Sequence, residues 1–329
     1  MRPWLLAFTD KGMKLANELA QALDGKAFRC NESLSLSAWT EQAFSEADAL
    51  IFVGAVGIAV RAVAPYVKSK ASDPAVIVVD ECGQFAVSLL SGHLGGANKL
   101  AKRIAAICGA TPVITTATDV NGVFAVDEWA KRQNCAVLDP SRIKEISAKI
   151  LGGKTVTLHS LWPVQGTPPQ GMQLGQPGDF ELTLYGRDEG VLRVVPRIAV
   201  LGVGCKKQTS QSLLEQSFQL LLQESGLSEK AFYKVCTIDL KQNEPGLRAF
   251  CANRGLAFQT FTASQLRSVS GTFSASDFVQ SVTGVDNVCE RSAVLGSEGV
   301  LYRKKQVSDG VTMAVALAPF APDWRWNDE

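Results

Sequence analysis

Residues 75–130 read AVIVVDECGQFAVSLLSGHLGGANKLAKRIAAICGATPVITTATDVNGVFAVDEWA, and this stretch decides the fold. Val76 to Val79 and Phe85 to Leu90 are apolar, β-branched runs. The acidic segment Asp80-Glu81-Cys82-Gly83-Gln84 between them predicts two strands joined by a tight turn. The loop Ser91-Gly92-His93-Leu94-Gly95-Gly96 follows, and Leu100, Ala101, Ile104, Ala105 and Ile107 then recur at helical spacing. The order is strand, glycine-rich loop, helix. A helix opens with amides that have no partner inside it, and glycines let an anion or a developing oxyanion approach them. A second strand, Pro112 to Thr116, runs into the polar loop Ala117 to Gly122 before a helix that starts near Asp127. In a parallel sheet both loops open at strand carboxyl ends, where open α/β folds bind ligands.

Outward from this stretch the same unit recurs. Pro3 to Phe8 is a strand followed by a helix from Asp10 to Leu23, and Ala49 to Val53 leads through Gly54-Ala55-Val56-Gly57 into a helix bearing Arg61. Helices are predicted near Asp127 to Asn134 and Ser141 to Leu151, with a strand at Thr155 to Leu158. Leu161 to Asp179 is rich in Pro, Gly and Gln and reads as a linker or long surface loop. Glu181 to Tyr185 and Val191 to Val195 are expected to form a hairpin. Ile198 to Val203 opens a second domain, ending in Gly204-Cys205-Lys206-Lys207-Gln208-Thr209-Ser210, where Thr209 or Ser210 caps a helix. The expected fold class is α/β: two three-layer α/β/α domains with mostly parallel sheets, at 1–140 and 197–329, joined by a Pro/Gly-rich middle segment at 141–196.

Composition narrows the function. The 329 residues carry 46% hydrophobic and 20% charged side chains, and no apolar run nears the roughly 20 residues of a membrane span. The N-terminus reaches Asp10 and Lys11 too soon for a signal peptide, so a cytoplasmic protein is expected. A net charge of +1 with no basic stripe argues against nucleic acid as a partner. The eight cysteines form no C-x-x-C pair, so no thiolate metal site is expected.

Among the candidate site residues, His93 is one of two histidines and lies among glycines, which suits general-base work or, alternatively, a carbonyl-capping loop residue. His159 reads as structural. The amides of Gly95 and Gly96 suit an oxyanion, or simply a tight turn that packs the helix. Asn98 orients a ligand or caps the loop. Asp80, Glu81 and Asp119 are acids at strand ends, either catalytic or solvated. Arg61, Lys70, Lys206 and Lys207 are candidate receptors for substrate carboxylates or, by default for any single one, surface cations, and Glu290 reads as a helix residue near the second domain's loop. Gly153-Lys154-Thr155 fails as a P-loop because Ala148 stands where a glycine is required, and there is no G-x-S-x-G elbow.

GAVGIAVRAVAP, DPAVIVVDECGQFAVSLLSGHLGGANKLA and PVITTATD resemble the N-terminal domain of the cobalt-precorrin-5A hydrolase family, the G proteins of anaerobic cobalamin biosynthesis. LGVGCKKQTS, DLKQNEPGL, VDNVCERSAVLGS and GVTMAVA resemble its C-terminal domain, which also occurs alone. The chain departs from the family pattern at Lys206-Lys207, where an arginine is expected, and at Arg291-Ser292, where small residues are usual. The resemblance implies hydrolytic opening of a substrate δ-lactone with loss of acetaldehyde. His93, Glu81 or Asp119 would act as base, with Gly95, Gly96, Asn98, Arg61, Thr116, Lys206, Lys207 and Glu290 holding the substrate and the second domain closing over it. No cofactor and no protein metal are expected, cobalt being carried by the tetrapyrrole substrate. A homodimer and transient contacts with neighbouring pathway enzymes are allowed for. The alternative is a tetrapyrrole carrier without chemistry of its own.

Overall fold

The computed structural model describes residues 2–69, 72–93, 95–186 and 190–326, and divides into two compact units. The first comprises residues 1–128 and 147–154, the second residues 129–146 and 155–329.

The first unit runs β1 (Pro3–Ala7), α1 (Asp10–Leu23), β2 (Lys26–Arg29), α2 (Leu36–Glu46), β3 (Ala49–Val53), α3 (Val56–Val63), β4 (Ala75–Val79), β5 (Phe85–Leu90), α4 (Ala97–Cys108), β6 (Thr111–Val113) and α5 (Ala117–Val120) to the start of α6 (Val126–Arg132). Its six-stranded sheet has the order β2-β1-β3-β4-β5-β6. One face packs Ala16, Leu19 and Leu23 of α1 beside Leu100, Ala101 and Ile104 of α4, and the other buries Trp39, Ala43, Ala59 and Val63 of α2 and α3. Full burial of Leu100 and Ile104 stabilises by about 1.5 to 3 kcal/mol each, which pins α4 and the loop ahead of it.

Strand direction is decided at one residue. The Asp80 carboxylate accepts the amides of Cys82 (2.9 Å), Gln84 (2.8 Å) and Phe85 (2.7 Å), which reverses the chain. β5 is therefore antiparallel to β4, while β5 and β6 are parallel to each other. The loops after β5 and β6 consequently open at one end of the sheet, and those after β1, β3 and β4 at the other.

The second unit holds β7 (Cys135–Val137), the first turn of α7 (Ile143–Leu151), whose remainder belongs to the first unit, and β8 (Val156–Ser160), β9 (Met172–Leu174), β10 (Phe180–Leu182) and β11 (Leu192–Pro196). These five strands form a sheet in the order β7-β11-β10-β8-β9. The middle segment is thus folded structure: β9 lies inside the stretch expected to be a linker, and Val195 joins the core of the following sheet. The expected hairpin is also corrected, because β10 and β11 pair in parallel, Phe180 opposite Leu192. The connection turns away instead of folding back: Tyr185 bridges Leu227, Gly186 donates to the Gly226 carbonyl, and Leu184 enters the core.

The chain continues through β12 (Ala199–Gly204), α8 (Gln211–Ser225), β13 (Phe232–Ile238), α9 (Pro245–Asn253), β14 (Ala257–Phe261), α10 (Ala263–Arg267), α11 (Asp277–Thr283), α12 (Cys289–Ser297), β15 (Val300–Ser308) and β16 (Val311–Leu317). The sheet order is β14-β13-β12-β16-β15, with α8 and α9 against one core and α10 to α12 against the other. Among the described residues no helix is long and apolar enough to cross a membrane.

Candidate functional site

The glycine-rich loop folds onto itself. Gly96, in the left-handed region at φ 84°, donates its amide to the His93 carbonyl (2.9 Å). The Ala97 amide donates to the Ser91 carbonyl (3.1 Å) and that of Asn98 to Gly92 (3.0 Å). The first amides of α4 are thus satisfied by the loop itself, the structural alternative for this turn. The same closure requires Gly95, where a Cβ would lie 2.3 Å from that of Ser91.

Asn98 is the bracket of the site. It is 3% exposed, accepts from Ser88 Oγ of β5 (2.7 Å), and donates to Thr116 Oγ1 (3.0 Å) and Asp119 Oδ2 (2.9 Å). One amide side chain thereby ties β5 to α5 and its N-cap and fixes the Asp119 carboxylate. That carboxylate receives His93 Nε2 at 2.7 Å, with Thr118 Oγ1 3.3 Å from the same nitrogen. On the far side of the ring, Nδ1 lies 3.2 Å from Oδ2 of Asp127, whose side chain is 5% exposed. Glu128 Oε1 is 3.9 Å from Nε2. Buried Phe124, Ala125 and Val126 set the start of α6, so its first acidic turn meets the histidine.

Three carboxylates therefore surround one imidazole. Burial pushes the His93 imidazole down, but its hydrogen bond and charge interaction with Asp127, then Asp119 and Glu128, raise it to about 9. At neutral pH the ring is a cation, held by its neighbours, and it suits donating a proton better than accepting one. The Glu128 carboxyl is pushed above its ordinary value by burial; the His93 charge opposes this, and the negative charges of Asp119 and Asp127 add to it. His93, Asp119 and Glu128 also present donor atoms within 4.8 Å of one another, a set able to hold a metal ion.

Of the residues singled out in the sequence, the structure brings together His93, Asp119, Asn98 and Thr116, with Gly95 and Gly96 shaping their loop. Glu81 does not join them: it is exposed beyond β4, at the other end of the sheet, and accepts from Thr9 Oγ1 (2.8 Å). Arg61 lies on α3, which leaves that same end, and bonds back to the Gly57 carbonyl. Lys70 lies outside the described residues. Lys206 and Lys207 are exposed on the β12–α8 loop of the second unit. Glu290 is corrected from substrate contact to structural anchor. It is fully buried, and its carboxylate accepts the Ser274 amide (2.8 Å) and hydroxyl (2.9 Å) and the Lys305 amide (2.7 Å). Asp127, Glu128, Thr118 and Ser88 complete the site without having been singled out. Their signal is faint, since two acids opening a helix read as ordinary complements of its dipole.

Residues 38–119 match the family described as "Cobalamin synthesis G N-terminal", residues 124–200 "Cobalamin biosynthesis central region", and residues 199–316 "Cobalamin synthesis G C-terminus". A protein of Salmonella typhimurium named "Cobalt-precorrin-5A hydrolase" is 35% identical, over 95% of this chain and 97% of its own length. The chain belongs to the cobalt-precorrin-5A hydrolase family. A protein of the same name from Priestia megaterium is 32% identical over 84% of this chain and 80% of its own length. In this cobalt-precorrin-5A hydrolase family member the His93 site spans two of the family's regions: His93, Asn98, Thr116 and Asp119 fall in the N-terminal one, Asp127 and Glu128 in the central one.

Proposed function

We propose that this chain opens the δ-lactone of cobalt-precorrin-5A and releases acetaldehyde, giving cobalt-precorrin-5B in anaerobic cobalamin biosynthesis. The observation that carries the reading is the 35% identity, over almost the whole of both chains, to a protein bearing that hydrolase name. The His93 cluster supports it by offering an acid and a base side by side.

A lactone is an activated ester, so water can open it without a covalent nucleophile if one group takes its proton and another protonates the leaving oxygen. Glu128, held above its ordinary value by burial and 27% exposed at its side chain, is the base we assign. As its oxygen accepts the proton, hydroxide adds to the lactone carbonyl. His93, whose charge Asp127 and Asp119 hold, gives a proton to the ring oxygen as the carbon–oxygen bond breaks, leaving a carboxyl and a secondary alcohol. A carboxylate of the cluster then removes the alcohol proton. The carbon–carbon bond cleaves, its electron pair passes into the macrocycle, and the two-carbon fragment leaves as acetaldehyde. Each acid–base contribution is worth about 100 to 10,000-fold in rate.

The test is to incubate the protein with cobalt-precorrin-5A and follow product mass together with aldehyde. One acetaldehyde per macrocycle converted supports the reading. Tight binding of the macrocycle with no aldehyde would make the chain a carrier and end the hydrolase assignment.

A further inference from the structure

We infer that His93, Asp119 and Glu128 form a binding site for a divalent transition ion of the zinc and cobalt class. Its place in catalysis rests on the reading above, but its existence does not. The three residues supply one imidazole nitrogen and two carboxylate oxygens, the mixed set that zinc accepts in a site open to water. Donors held tetrahedrally at about 2.1 Å from one ion lie about 3.4 Å from each other. The spacings from His93 Nε2, 2.7 Å to Asp119 and 3.9 Å to Glu128, bracket that value, and all three donors lie within 4.8 Å.

The feature that separates this from a solvated acidic patch is the far side of the ring. A metal-bound histidine is oriented by a carboxylate or carbonyl on its other nitrogen, and Asp127, buried to 5% side-chain exposure, occupies that position at 3.2 Å from Nδ1. The Asn98 amide meanwhile fixes the Asp119 oxygen that faces the ring, at 2.9 Å. Both ligands on the sheet side are thus positioned by neighbours that would not themselves ligate. Glu128, at the helix start, is the more exposed third donor and leaves room for a water or a substrate oxygen. An ion there would take the place of the His93 Nε2 proton and engage Glu128, so the loaded site would act by polarising water and the lactone carbonyl in place of the acid–base pair assigned above.

The experiment strips the full-length protein with a chelator and titrates it with Co²⁺, following d–d absorption, with Zn²⁺ as competitor. One equivalent is expected, without thiolate charge-transfer absorption, which separates this site from the exposed Cys82. His93→Ala and Glu128→Gln should each weaken binding at least about 10-fold, and Asp127→Asn, which touches no ligand position, about 10 to 100-fold. Circular dichroism of each variant confirms that it is folded, and Glu128→Gln keeps the side-chain shape if His93→Ala is unstable. Uptake only with thiolate absorption, or affinity unchanged in Glu128→Gln and Asp127→Asn, overturns the site. Acetaldehyde released at full rate by stripped protein that takes up no ion sinks the metal and leaves the hydrolase; one-equivalent binding by a protein that releases none does the reverse.

Discussion

Replacing Asp127 by Asn removes a buried charge 3.2 Å from His93 Nδ1 while keeping the shape of the side chain. Asp127 leads the interactions that lift His93, against burial, to about 9. An opposite charge at such a distance is worth about 1 to 3 pKa units, or roughly 1.4 to 4 kcal/mol. The His93 pKa in Asp127→Asn should therefore fall by that amount, with Asp119 still on the other nitrogen. The assay is a pH titration of the histidine Cε1–H resonances by NMR on chelator-treated protein. Two histidines in the chain make assignment direct, with His159 as the internal control. A wild-type His93 that titrates near 6.5, or one whose midpoint is unmoved in Asp127→Asn, would refute the picture of an imidazolium held between two carboxylates.

Other consequences follow from the same geometry. Because the folded His93 pKa of about 9 exceeds the unfolded value of 6.5, its pairing contributes fully below pH 6.5 and is lost as pH rises through 9. Urea unfolding of metal-free protein should show a decline of up to about 3 kcal/mol across that window, absent in His93→Gln. Gly95→Ala places a Cβ 2.3 Å from that of Ser91, which forces the loop open; a loss of about 1 to 3 kcal/mol and at least a 10-fold slower acetaldehyde release are expected. Glu290→Ala strands the Ser274 and Lys305 donors in the interior and should cost about 3 kcal/mol in urea unfolding, with turnover of the folded fraction within about 3-fold of wild type. Full stability with lost turnover would instead return Glu290 to substrate binding.

The strand, loop and helix around His93 were legible because apolar periodicity and glycine placement act locally, and Asp119 was legible as an acid following a strand. Asp127 and Glu128 were not. Their contact with His93 is made over a separation of 34 residues for Asp127, and nothing in a helix's first acidic turn announces it. Glu81 was misplaced for a different reason: hydropathy does not reveal strand direction, and the Asp80 side chain reverses the chain so that Glu81 and Asp119 lie at opposite ends of the sheet. β10 and β11 carry the turn composition of a hairpin, yet burying Leu184 against the following sheet draws the connection away. β2 escaped notice as a four-residue strand at the sheet margin with no fully buried side chain. Glu290 shows the limit most plainly, since a carboxylate answered by backbone amides from residues 274 and 305 looks, in one dimension, like any reactive acid.

Single-turnover acetaldehyde release from cobalt-precorrin-5A, measured for wild type and His93→Ala at matched saturation, tests the central claim most directly. The account predicts one aldehyde per substrate from wild type and a rate at least about 100-fold lower in the variant with the macrocycle still bound. Equal rates in the two proteins, or no aldehyde from wild type, would contradict it.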